Sequence, residues 1–446
     1  MKKASFLTLG CRVNQYETQC VREQLLSAGF AEASVEEDCD LYFLNTCAVT
    51  GESVRKGKQL LRRVLRKKQQ NPDAVVCLCG CFPQGEKGAS DRFCGVDVLA
   101  GNTRKNELAA ILAEMCDTPS EQRKMLDLRE DISRPRLYEP LSLCRSHNAR
   151  AFVKIQDGCN SFCTYCYVPL VRGRVRSRNA EEIFSEVERL QNNGYGEVVL
   201  TGIETGAWGT DFSEPADLCD LVERLAERSG IERIRFGSLK PTLFTDSFCK
   251  RLSGISSVLP HFHLSLQSGS SRILSLMGRK YDRCAEEEAV SNIYRYFPDA
   301  GLSADLICGF PGETDEDFAD SVSLVKTAKL LHTHIFPFSP REGTRAASMK
   351  PEVSSEEKKK RCAFLLEVAK ASGTEFSQKR VGKTYRVLCE RVRDGAMLGY
   401  TENFIYTKTP LQREVRVGDC YEITLTDRRS FSVETMVVSG EFAGNS

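Results

Sequence analysis

Asp157-Gly158-Cys159-Asn160-Ser161-Phe162-Cys163-Thr164-Tyr165-Cys166 places three cysteines in eight residues, with three and then two residues between them. Three thiolates on one short loop can bind three corners of an iron–sulfur cube and leave the fourth iron without a protein ligand. Electron carriers of the ferredoxin type supply four cysteines and close the cube. Catalytic metal sites instead keep one position open. The bland alternatives are buried free thiols or zinc. Zinc asks for a fourth ligand, and the nearest further candidates, Cys144 and His147, stand on the wrong side of the loop at irregular spacing.

The rest of the composition bounds the setting of this loop. Net charge is +1, so a general polyanion binder is excluded and any nucleic acid must be held by local patches. No apolar run is long enough to span a bilayer, and Met1–Cys11 lacks the long apolar stretch of a signal peptide. A cytoplasmic protein is expected. Its thiols stay reduced, so clustered cysteines point to metal or catalysis, while isolated ones such as Cys20, Cys249 and Cys389 default to small buried hydrophobes.

Residues 1–114 read as an open parallel α/β domain. Strands are expected at Ser5–Leu9, Leu41–Leu44, Ala74–Cys79 and Val96–Ala100, with helices across Tyr16–Ser27 and Glu52–Gln70. Cys11, Cys47 and Cys81 follow the first three strands in turn. The carboxyl ends of parallel strands share one edge, where ligands bind, so these cysteines should converge there. Gly10 and Gly80 precede two of them and permit close backbone approach. Three unrelated buried cysteines are the alternative. The second helix carries Arg55, Lys56, Lys58, Arg62, Arg63, Arg66, Lys67 and Lys68, which suit either a polyanion such as RNA or a solvated face.

Residues 115–148, with Pro119, Pro135 and Pro140, read as a linker. Strand–helix alternation then fills 149–377. Strands are expected at Ala151–Ile155, Glu197–Thr201, Arg233–Phe236, His261–Gln267, Leu302–Cys308 and Thr333–Phe336. Six such units make a partial (β/α)6 barrel with the cysteine loop at its carboxyl mouth. Arg172, Arg174, Arg176 and Arg178 lie just beyond, suited to phosphate or carboxylate and equally to structural ion pairs. Five histidines offer no convincing acid–base set. Residues 378–442 change to short β runs and suggest a small antiparallel barrel, where Phe404 and Tyr406 would stack on bases or simply pack.

The cysteine loop, with an aromatic residue before its last cysteine, resembles the signature of the radical S-adenosylmethionine (SAM) enzymes. The resemblance implies a four-iron four-sulfur cluster on Cys159, Cys163 and Cys166 whose open iron chelates SAM; electron transfer then cleaves SAM to a 5′-deoxyadenosyl radical. It makes these three cysteines catalytic. It also implies SAM contacts from Tyr165, Glu204 in Gly202-Ile203-Glu204, Gln267 in Leu264–Ser270 and Ile307 in Asp305–Thr314. A carboxylate at Glu204 suits the SAM ammonium.

Taken in order, all three parts resemble the methylthiotransferases, and the last resembles the RNA-binding TRAM domain of that family. This implies that Cys11, Cys47 and Cys81 hold a second four-iron four-sulfur cluster. Its open iron would hold a sulfur that one SAM methylates, and the radical from another SAM would remove hydrogen from C2 of a modified adenine beside the tRNA anticodon. Lys154–Asn160 and Arg172–Arg178 resemble the threonylcarbamoyladenosine branch; the branches acting on isopentenyladenosine or on a ribosomal-protein aspartate differ there. Gly237 and Lys240 stand where relatives usually carry serine and glutamate, and Thr201–Trp208 departs from the usual branch sequence. The implied partners are the tRNA anticodon stem-loop, an electron donor such as flavodoxin or ferredoxin, and a sulfur donor. The rival from another class is a non-catalytic iron–sulfur RNA-binding protein.

Overall fold

The computed structural model describes residues 1–86, 90–133, 136–146, 148–431 and 436–443; Pro135 and His147 lie outside them. β1 (Lys3–Thr8) leads through α1 (Arg12–Ser27), β2 (Ala31–Glu32), β3 (Leu41–Thr46), α2 (Gly51–Gln70), β4 (Val75–Gly80), the short α3 (Cys81–Gly85), β5 (Val98–Leu99) and α4 (Leu108–Asp117) to β6 (Leu126–Asp127). These strands form one sheet in the order β2-β1-β3-β4-β5-β6, every pair parallel. β3 and β4 are buried along their whole length, as strands covered on both faces must be. Tyr42, Leu44, Val76 and Leu78 pack on one face, and Leu41, Phe43, Val75 and Cys77 on the other.

Most expected elements are shifted by one to three residues at their ends, and two differences bear on the site and the sheet. α1 starts at Arg12, with Cys11 as its extended N-terminal neighbour. Leu126–Asp127 pairs with β5 and widens the sheet inside the stretch expected to be a linker. Both of its side chains are exposed, so it carries no hydrophobic alternation to betray a strand.

The central unit runs through β7 (Ala151–Lys154), β8 (Gln156–Asp157), α5 (Val168–Arg172), β9 (Arg176–Ser177), α6 (Ala180–Asn192), β10 (Glu197–Thr201), α7 (Leu218–Ser229), β11 (Arg233–Phe236), β12 (Ser238–Leu239), α8 (Asp246–Ser253), β13 (His261–Gln267), α9 (Ser271–Leu276), α10 (Arg283–Tyr296), β14 (Gly301–Cys308), α11 (Asp315–Thr327), β15 (His332–Pro337) and α12 (Ser355–Gln378). Two parallel sheets, β11-β10-β7 and β12-β13-β14-β15, adjoin at Gly237 and make the open barrel. Capping boxes at Asp217/Asp220 and Thr314/Asp317 start α7 and α11. Val198, Leu200, Ile234, Phe262, Leu264, Leu302, Ala304 and Leu306 point outward into the largest apolar core. By strand alternation Glu197, Arg233, Arg235, His261, His263, Ser303, Asp305, His332 and His334 point into the lumen.

β16 (Thr384–Arg393), β17 (Ala396–Tyr400), β18 (Tyr406–Pro410), β19 (Cys420–Phe431) and β20 (Met436–Phe442) close into a barrel in the order β16-β17-β18-β20-β19. It is not antiparallel throughout: β18 and β20 run parallel. Around a closed ring of five strands, directions cannot alternate at every pair, so one parallel pair is unavoidable.

Candidate active site

The cysteine loop follows β7 and is pinned by backbone bonds from Cys159 N to Gly173 O (3.0 Å), Thr164 N to Met277 O (2.9 Å) and Ala346 N to Thr164 O (2.8 Å). Cys163 is buried, Cys159 and Cys166 are half-buried, and the three thiols lie within electrostatic reach of one another. Tyr165 packs edge-on to Phe310 at 6.4 Å, in one apolar cluster with Ile307. Its hydroxyl accepts from Arg279 at 2.7 Å. Gln267 ends β13 in the left-handed region, φ +76°, where the pairing with β14 is irregular. Glu204 follows β10: Oε2 accepts from Cys159 Sγ (2.9 Å) and Ser161 Oγ (3.1 Å), and Oε1 pairs with Lys240. Burial opposes ionisation of Glu204, but Lys240 together with the hydrogen bonds from Cys159 and Ser161 outweighs it and holds the carboxyl below its ordinary range.

Cys11, Cys47 and Cys81 also converge, each after its strand. A side chain at Gly10, whose φ is +120°, would meet the Cys47 Cβ at 2.8 Å, and one at Gly80, φ +99°, would meet the Thr46 carbonyl oxygen at 2.5 Å. Only glycine lets these loops approach so closely. Cys47 and Cys81 are buried and Cys11 is exposed. Asn102 Nδ2 donates to Cys81 Sγ and Val49 N to Cys47 Sγ, both at 3.4 Å. Burial, and then the neighbouring Cys81, push the Cys47 thiol up to about 12; a bound cationic centre is what would make it a thiolate. Each triplet is an all-thiol, soft donor set that leaves one corner of a cube open, which fits an iron–sulfur cluster.

A buried polar hub joins the two triplets. Arg172 donates to Glu17 Oε1 (2.9 Å), Asp157 Oδ2 (3.0 Å) and Asn14 Oδ1 (2.6 Å). Lys154 bridges the same two carboxylates at 2.7 and 2.6 Å, and Lys105 adds a third cation to Glu17. Arg172 stands within electrostatic reach of Cys11 and Cys81. Ion pairing therefore absorbs Arg172, and likewise Arg176 with Asp157 and Arg178 with Glu186. Arg174 alone of the four stays exposed, over Phe162. On α2, Arg55 and Lys56 pair with Glu52, Arg63 with Glu36, Lys67 with Asp38 and Lys68 with Asp97, so much of that charge run is compensated from neighbouring segments.

The lumen holds what the sequence reading missed. His261, His263, His332 and His334 gather there around Ser303 and Asp305. Ser303 Oγ lies 3.0 Å from both His261 Nε2 and His263 Nδ1, and Asp305 lies 3.2 Å from His263 Nε2 and 3.3 Å from His334 Nδ1. Burial pushes His332 down to about 4 and His261 well below its ordinary value, so both are neutral at pH 7. The signal was available: His-x-His on each of two strands, with Asp305 on a third, is a period-2 pattern on one barrel face. At the amino end of the lumen Phe404 stacks on His261 (4.0 Å) and Tyr400 (4.2 Å), so Phe404 packs rather than standing free for bases.

Comparison with known proteins matches this arrangement. The Radical SAM superfamily matches residues 153–325, and the Uncharacterized protein family UPF0004 matches 3–101. The chain is 33% identical to the threonylcarbamoyladenosine tRNA methylthiotransferase MtaB of Bacillus subtilis (strain 168), covering 91% of this chain and 90% of that one. It is 36% identical to the protein of that name from Aquifex aeolicus (strain VF5), covering 93% and 98%. It is 34% identical to the tRNA-2-methylthio-N(6)-dimethylallyladenosine synthase of Pelotomaculum thermopropionicum, covering 96% of each. Among solved structures, the radical SAM methyltransferase TsrM of Kitasatospora setae shares the fold, with a TM-score of 0.53 at 14% identity over 75% of this chain and 73% of that one. The chain belongs to the radical SAM methylthiotransferases, enzymes that work with a four-iron four-sulfur cluster and S-adenosylmethionine.

Proposed function

We propose that this protein converts N6-threonylcarbamoyladenosine next to the anticodon of tRNA into its 2-methylthio derivative. The observation that carries the reading is the pair of thiol triplets joined by one buried hub of Glu17, Arg172 and Asp157. The threonylcarbamoyl branch is supported by the names of the Bacillus and Aquifex relatives and by the sequence at 154–160 and 172–178.

Cys159, Cys163 and Cys166 would hold one four-iron four-sulfur cluster, and Cys11, Cys47 and Cys81 a second. With SAM bound, the first would supply one-electron reductive chemistry and the second would supply the sulfur. The chain's own residues then position and shield. Glu204, held by Lys240 on Oε1 and by Ser161 on Oε2, would offer its carboxylate to the SAM ammonium. Tyr165 and Ile307 form an apolar wall, and Gln267 presents its amide at the end of β13. Phe404 and Tyr400 shut the lower end of the lumen, which keeps water from a radical formed above. C2 of adenine carries no acidic proton, so the neutral histidines are not needed as bases. The segments 1–114, 149–377 and 378–442, joined by 115–148, are the proposed cluster, radical and TRAM domains. An electron donor such as flavodoxin or ferredoxin, a sulfur donor and a cytoplasmic location complete the reading. Among the described residues no helix is long and apolar enough to cross a membrane.

Nucleoside mass spectrometry of tRNA from cells with and without this chain tests it. Loss of the 2-methylthio mark from threonylcarbamoyladenosine is expected. An unchanged mark there, with loss from isopentenyladenosine or a ribosomal protein, would overturn the substrate.

A further inference from the structure

Below the reaction site the lumen opens into a cavity of about 620 Å³, lined by Arg12, Arg150, Arg235, Glu390, Tyr400 and Phe404 among others. That volume suits a nucleoside-sized group. Its cations are unevenly matched. Glu197, fully buried, takes Arg233 and Arg235 at 2.7 Å each and Arg150 at 3.4 Å. Arg150 also pairs with Glu390. Asp305 is engaged by His263 and His334. Arg12 has no carboxylate within 4 Å among the described residues. Its guanidinium lies 3.5 Å from the Phe236 carbonyl oxygen and 5.8 Å from the Phe152 ring. A half-buried guanidinium beside other guanidiniums calls for an anion.

The position of Arg12 says which anion. It directly follows Cys11, so the two Cα atoms stand about 3.8 Å apart. A base with its reacting carbon beside the Cys11 triplet would therefore send its substituent toward Arg12. Phe404, stacked on His261, forms part of its wall, beside Arg235, which donates to the carbonyls of Thr401 (2.7 Å) and Glu402 (2.8 Å).

We propose that Arg12, supported by Arg150 and Arg235, binds the terminal carboxylate of the amino-acid group on N6 of the substrate adenosine. This rests on the substrate reading above and adds the residue that reads the appendage. A guanidinium fork matches a carboxylate.

The test uses the holoenzyme and anticodon stem-loops carrying threonylcarbamoyladenosine either as the free acid or as its methyl ester. Dissociation constants are read by fluorescence anisotropy, and methylthio product by mass spectrometry. Wild-type enzyme should bind the acid roughly ten- to a hundredfold more tightly than the ester, the range for a hydrogen bond to a charged group. Arg12→Gln should lose that preference, and Arg12→Lys should recover part of it. Equal binding of acid and ester by wild type overturns the proposal without needing any variant. So does an Arg12→Gln enzyme that weakens both equally, the result expected for a phosphate contact. If wild type makes product from neither stem-loop but from an isopentenyl one, the substrate reading itself has failed and the carboxylate site falls with it.

Discussion

Replacing Arg172 with methionine tests whether the hub holds the two triplets in register. The Arg172 side chain is 1% exposed and bonds to Glu17, Asp157 and Asn14 at once. Removing one partner of a buried ion pair costs about 3–5 kcal/mol. Lys105 and Lys154 remain on Glu17, and Lys154 and Arg176 on Asp157, so the lower end, about 3 kcal/mol, applies. That is roughly a hundredfold in a local opening equilibrium. Native-state hydrogen exchange reads it directly. Amides of α1 around Asn14–Thr18 and of the loop 157–166 should exchange roughly a hundredfold faster, while α7, remote from the hub, should not change. The variant should also release more 5′-deoxyadenosine per methylthio product. Acid adds a second signature. Burial opposes the charge on Glu17, but Arg172, Lys105 and Lys154 outweigh it and hold its carboxyl well below the ordinary range. A depressed folded value gives stability that is present above the unfolded value, about 4.3, and is lost as pH falls through the folded one. Without Arg172 the folded value rises toward the unfolded one, so the acid loss should still begin near about 4.3 but be smaller and complete at a higher pH. Unchanged exchange in α1, or a uniform increase across the chain, would refute the hub as a local clamp.

Four further outcomes are expected. Cys163→Ala should leave a folded protein that no longer cleaves SAM; retained cleavage would sink the radical reading. Cys47→Ala should still make 5′-deoxyadenosine but insert no sulfur, checked by product mass spectrometry. Glu286 is fully buried with neither carboxylate oxygen bonded, and burial pushes it up to about 9. Its raised folded value means stability is lost as pH climbs from about 4 toward 9, a cost of about 3 kcal/mol at pH 7. Glu286→Gln should therefore stabilise, and by about 2–3 kcal/mol more at pH 8 than at pH 6 in urea titrations; equal gains at both would count against it. For His332, held near 4 by burial, the ratio of His332→Gln to wild-type product rate should stay constant from pH 6 to 8, whereas a general acid or base would make it vary.

Much of this architecture was legible because its signals are local. Glu197–Thr201, Arg233–Phe236 and His261–Gln267 were bounded as they stand in the structure. The cysteine loop announces itself in ten residues, and Cys11, Cys47 and Cys81 by their place after successive strands. The hub was hidden because its bonds are long-range: Glu17 meets Lys105, Lys154 and Arg172 across 88, 137 and 155 positions. Nothing in the sequence around Arg172 separates a buried clamp from a phosphate fork. The compensation of α2 was hidden for the same reason, since Glu36, Asp38 and Asp97 come from other segments. The histidines were missed differently. The strands carrying them were read, but the inward face of those strands was not.

That inward face bears on how the reaction is confined. A partial barrel is open at both ends, and a strong hydrogen-abstracting radical needs one of them shut. Here the small C-terminal barrel does it. Phe404, held at φ +72°, lies over His261, and Arg150 and Arg235 stack against its ring at 5.4 and 5.0 Å. A non-glycine residue in the left-handed region persists only where its surroundings over-determine it, and stacked aromatic and guanidinium planes on both sides supply that. The base-stacking role expected of Phe404 and the packing role it has draw on the same chemistry, a flat ring among cations. Using it at the bottom of the lumen leaves RNA contact to other surfaces, and Arg12 there has no carboxylate within 4 Å among the described residues.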